Sequence, residues 1–90
     1  MEVRIEERVK GNTEDVLVGD TIQDFTNEVR GTIVAYKKGA LSKEDFLAEM
    51  NEMYLEYELM IMTNKKYHFV KMRLLLAINS IMRAFSLSIL

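Results

Sequence analysis

Not one proline interrupts these 90 residues, and the four glycines stand at positions 11, 19, 31 and 39. Proline and glycine are the residues that stop helices and shape tight turns, so a chain this poor in them has few places to reverse direction. Long helices are the consequence. The sequence reads as an all-α chain of three helices, over about residues 20–38, 42–62 and 65–88, with the second and third forming an antiparallel hairpin.

The first helix is expected to begin near Asp20, where Asp20-Thr21-Ile22-Gln23 has the form of a capping box, with Asn12-Thr13-Glu14-Asp15 as an earlier alternative start. Ile22, Phe25, Val29, Ile33 and Tyr36 then recur at spacings of three and four and share one stripe. Lys37 and Lys38 suit the carbonyl end of that helix, and Gly39 suits the left-handed residue that closes it. The second helix carries the clearest start, with Ser42 as cap, Asp45 three residues on, and Leu41 placed to staple against Phe46. Its stripe is Phe46, Met50, Met53, Tyr57 and Met60 or Ile61. Asn64 marks the break, able to close this helix or open the next.

The third helix has two adjacent apolar stripes, Tyr67, Val70, Leu74, Ile78 or Ile81, and Phe85 on one and Phe69, Met72, Leu76, Ile81 and Met82 on the other. That arc is wider than two companion helices in so short a chain readily cover. A second copy is the expected supplier of the missing cover, with Leu74, Leu75, Ile78, Ile81, Met82, Phe85 and Leu87 as its contact residues.

Residues 1–12 break the helical pattern. Val3, Ile5 and Val9 alternate with Glu2, Arg4, Glu6 and Arg8, which reads as an edge strand or an N-terminal arm ahead of a single helical domain over residues 13–90. Met1–Arg8 lacks the apolar stretch of a secretory signal, and no apolar run approaches the roughly 20 residues that span a bilayer. A cytoplasmic protein with no membrane span is the expectation.

Chemistry is limited by inventory. The absence of cysteine excludes disulfides, thiolate metal sites and thiol nucleophiles. Hydrophobic residues at 49% and charged residues at 29% describe a chain that folds. The single histidine, His68, has no Glu-x-x-His partner pattern, and no phosphate-binding glycine loop or nucleophile elbow occurs. No enzyme activity, metal or cofactor is expected. Asp45, Glu49, Glu52 and Glu56 fall at helical spacing and read as a solvated acidic face, which together with Tyr54 forms the expected partner-binding edge.

Lys65, Lys66, His68, Lys71 and Arg73, interleaved with Tyr67 and Phe69, make the one basic cluster. At a helix start this composition suits a phosphate group, and the simpler expectation is that these cations pair with Glu52, Glu56 and Glu58 nearby. A net charge of −2 argues against broad nucleic-acid affinity. Seven methionines add pliable apolar surface. Together these features point to a small non-enzymatic helical module that binds a protein partner, as an inhibitor, an immunity- or antitoxin-like neutraliser or an adaptor. The alternative is an oligomeric binder of a nucleotide or other phosphorylated ligand, or a nucleic-acid-binding regulator, working through Lys65, Lys66, Tyr67, His68, Lys71 and Arg73.

Overall fold

The chain forms α1 (Glu2–Lys37), α2 (Lys43–Thr63), a single 3-10 turn (Lys65–Tyr67) and α3 (Lys71–Ile89). The computed structural model describes residues 2–89, with the side chains of residues 13–87, and among the described residues there is no strand. The edge strand expected over residues 1–12 is not formed: residues 2–12 are the first turns of α1, because a short alternating run with no second strand to pair with builds no ladder and continues the helix that follows it. Among the described residues no helix is long and apolar enough to cross a membrane.

Two boundaries differ from the sequence expectation. The first helix does not start at Asp20, because it runs without a break through Thr13–Asp20 and carries Gly19 inside it. The reason lies in burial. Val18, Thr21, Phe25 and Val29 are buried at spacings of three and four, so the core stripe reaches a turn further back than Ile22 and outweighs the roughly 1 kcal/mol that a helical glycine costs. The Thr21 hydroxyl donates to the Leu17 carbonyl at 2.8 Å, which lets the one buried polar residue among those described sit in this stripe.

The third helix begins at Lys71 and not at Lys65. Asn64 performs both of the roles open to it: its backbone N–H donates to the Met60 carbonyl and closes α2, while its side-chain oxygen accepts from the Lys66 backbone N–H and opens the 3-10 turn. That tighter turn places Tyr67 and Val70 in the core while leaving His68 and Phe69 outside.

The remaining signals hold. Ser42 caps α2, with its hydroxyl accepting from the Asp45 backbone N–H at 3.1 Å. Gly39 has φ 81°, and the Gly39 and Ala40 N–H groups donate to the Tyr36 and Ala35 carbonyls, the paired bonds of a Schellman closure.

Each helix packs on the other two around one core of Val18, Phe25, Val29, Phe46, Met50, Ile61, Tyr67, Val70, Leu74 and Ile78. Aromatic contacts fix α1 on α2. Tyr36 stacks on Phe46 with centroids 4.7 Å apart, and Phe25 meets Tyr57 edge-on at 5.0 Å.

Candidate functional site

The two edges of α2 have different neighbours. Met53 turns toward α1, where the Thr32 hydroxyl lies 3.9 Å from its sulfur, whereas Tyr54 turns toward α3 and accepts a long hydrogen bond from the Asn79 side-chain amide at 3.4 Å. The expected partner-binding set is therefore divided. Asp45, Glu49, Glu52 and Glu56 share an exposed line, and Glu49, Glu52 and Glu56 border a shallow cleft of about 170 Å³ with Met53. Tyr54 lies on the other edge. Among the described residues, no group of three or more histidines and carboxylates is placed to hold a metal ion.

Between α2 and α3 lies a larger open cleft of about 640 Å³, lined by Tyr54, Asn79, Met82, Arg83, Ser86 and Leu87. Its walls are mainly aliphatic and aromatic, with one guanidinium at the rim. Partial burial, reinforced by the Glu58 carboxylate beside it, pushes the Tyr54 hydroxyl pKa above its ordinary value.

The contact residues expected on α3 fall into three groups. Leu74 and Ile78 have no exposed surface and belong to the chain's own core, which removes them from any interface with a second copy. Leu75, Ile81, Met82 and Phe85 are half-buried against that core. Leu87 is 76% exposed. The wide apolar arc is nonetheless present, because Met72 and Leu76, half a turn around from the core stripe, are also exposed.

The outward face of α2 repeats the pattern with Leu47, Leu55, Leu59 and Met62, which sequence reasoning did not single out as contact residues. The signal was available. Leu55, Leu59 and Met62 recur at spacings of four and three on the side of the helix away from Phe46 and Met50, a second stripe like the one recognised on the third helix.

The basic cluster gathers around the turn joining α2 to α3. Lys65, Lys66, His68 and Arg73 are exposed and Lys71 half-buried, while Tyr67 is buried, with its ring beneath the Lys66 ammonium at 5.2 Å and its hydroxyl 3.9 Å from the Met60 sulfur. Tyr67 is thus a supporting residue. Phe69 stands 86% exposed, touched edge-on by the His68 ring at 5.1 Å. The expected pairing of these cations with Glu52, Glu56 and Glu58 is not formed: among the described residues the one ion pair joins Arg73 to Asp15 of α1, at 3.4 Å. Neither cleft described above reaches this turn.

Compared with known proteins, the chain matches no family model, no curated protein and no solved structure.

Proposed function

We propose that this chain is a small non-enzymatic binding module, with α2 and α3 arranged as an antiparallel hairpin whose outer face packs against protein, and with a second copy of the chain as its first occupant. The observation that carries the reading is the double row of exposed apolar side chains, Leu47, Leu55 and Leu59 on α2 and Met72, Leu76 and Leu87 on α3, beside the Tyr54 cleft. A lone surface leucine needs no explanation, but two such rows on neighbouring helices are what an interface requires.

Size and charge agree with a second copy. Two helices about 30 Å long and about 10 Å apart offer a footprint on the order of 600 Å², near the roughly 800 Å² per partner of a standard interface. The second helix carries Glu44, Asp45, Glu49, Glu52, Glu56 and Glu58, whereas the third carries Lys71, Arg73 and Arg83 and no acid. Only Arg73 is in an ion pair among the described residues, so complementary rims remain for a facing copy. The same face serves for an inhibitor, neutraliser or adaptor whenever a partner of matching shape displaces that copy.

Sedimentation equilibrium of the intact chain over a series of concentrations tests this reading. A reversible monomer–dimer equilibrium is expected, and a strict monomer at every concentration overturns it.

A further inference from the structure

A separate feature stands at the turn between α2 and α3. From Thr63 to Arg73 the chain contains Lys65, Lys66, His68, Lys71 and Arg73 and no aspartate or glutamate, and in their midst Phe69 is 86% exposed, with Met72 exposed three residues on. A phenylalanine held open to water gains by entering an apolar phase, and a collar of cations gains by meeting an anionic one. Where both occur on one short turn, the surface that satisfies them together is the headgroup region of an anionic bilayer, since stable attachment there takes a basic patch plus an apolar anchor.

We infer that this turn docks on anionic membranes, with Phe69 entering the interface and Lys65, Lys66 and Lys71 contacting lipid phosphates and carboxylates. The contact is peripheral. The placement of charge favours a bilayer over a nucleic acid. The acidic line of Asp45, Glu49, Glu52 and Glu56 extends away from the turn, so a polyanion tracking the long axis meets repulsion, while at the turn itself Asp15 is paired with Arg73 at 3.4 Å and Lys65, Lys66 and Lys71 stand outside the ion pairs of the described residues. The nearest carboxylate of α2, Glu58, lies about 7 Å up the helix from Thr63 and is half-buried beside Tyr54. Tyr67, buried beneath Lys66, holds the turn from within and leaves Phe69 free to act without disturbing the core.

Co-sedimentation of the 90-residue chain with vesicles tests the inference, using phosphatidylcholine alone and phosphatidylcholine mixed with phosphatidylserine. Binding is expected only with phosphatidylserine and is expected to weaken as salt rises. Lys65→Gln/Lys66→Gln lowers the partition coefficient by roughly 30-fold, from about 1 kcal/mol per cation. Phe69→Ser lowers it by roughly 10-fold through loss of apolar insertion, and leaves the salt dependence unchanged. Circular dichroism should show both variants as helical as the parent, because these side chains lie outside the core. Absence of phosphatidylserine-dependent binding overturns the inference, as does binding to single-stranded or duplex DNA without binding to vesicles. An unchanged partition coefficient for Phe69→Ser overturns it equally, since the anchor is then not used.

Discussion

The Phe25 ring, fully buried on α1, meets the Tyr57 ring of α2 edge-on, with centroids 5.0 Å apart and planes inclined at 66°. This pair sits within the α1–α2 contact, so truncating Phe25 removes both apolar burial and a favourable ring geometry. Phe25→Ala is expected to cost about 3–5 kcal/mol, read from urea denaturation midpoints.

Tyr57 also makes stability depend on pH in a defined direction. Partial burial, followed by the carboxylates of Glu28 and Asp24, pushes its hydroxyl pKa well above the ordinary value. The folded state therefore favours the neutral phenol. Its contribution is fully present below about pH 10, the unfolded value, and is lost progressively as pH rises beyond that point. In urea midpoints measured across the alkaline range, Tyr57→Phe should show a shallower loss than the parent; an equally steep loss would show that Tyr57 does not supply it.

The glycines should respond in opposite senses. A Cβ at Gly19 or Gly31 meets nothing within 4 Å, and both positions are interior to α1, so Gly19→Ala and Gly31→Ala should each stabilise by about 0.5–1 kcal/mol. Gly39 has equally open surroundings but a φ of 81°, and Gly39→Ala should destabilise by about 1–2 kcal/mol. Thermal midpoints of the three variants check the contrast.

Two leucines on α3 separate its faces. Leu74 is wholly buried and Leu76 is 65% exposed. Leu74→Ala should cost about 2–5 kcal/mol, while Leu76→Ala should stay within about 0.5 kcal/mol in the isolated chain. Comparable losses at both would place Leu76 in a packed environment that the single chain does not provide.

Much of this architecture was legible in the residues themselves, and where it was not the cause is specific. Ser42 and Gly39 act through local hydrogen bonds and backbone angle, so their positions were readable from a few neighbouring residues. The stripe from Phe46 to Ile61 was readable because its period is that of the helix. The start of α1 was misplaced because Gly19 and a good capping pattern at Asp20 imitate a boundary, and only the burial of Val18 by the rest of the molecule overrides them. The start of α3 was misplaced because Asn64 serves two elements at once, and nothing local distinguishes a 3-10 turn from the first turn of an α-helix. On α3 the width of the apolar arc was evident, but which side faces inward depended on α1 and α2. Leu74 and Ile78 therefore moved from candidate interface to core, and Met72 and Leu76 took their place on the surface.

Charge placement followed the same rule. The acidic line on α2 is set by helical period and was foreseen, whereas the partner of Arg73 proved to be Asp15, distant in sequence and brought near only by packing.

The most direct test of the binding-module account compares two double variants by sedimentation equilibrium. Leu55→Lys/Leu76→Glu alters the outer face of α2 and α3, and Glu49→Lys/Glu52→Lys alters the acidic edge. The account predicts a helical monomer for the first and a retained monomer–dimer equilibrium for the second. A first variant that dimerises as strongly as the parent would contradict it.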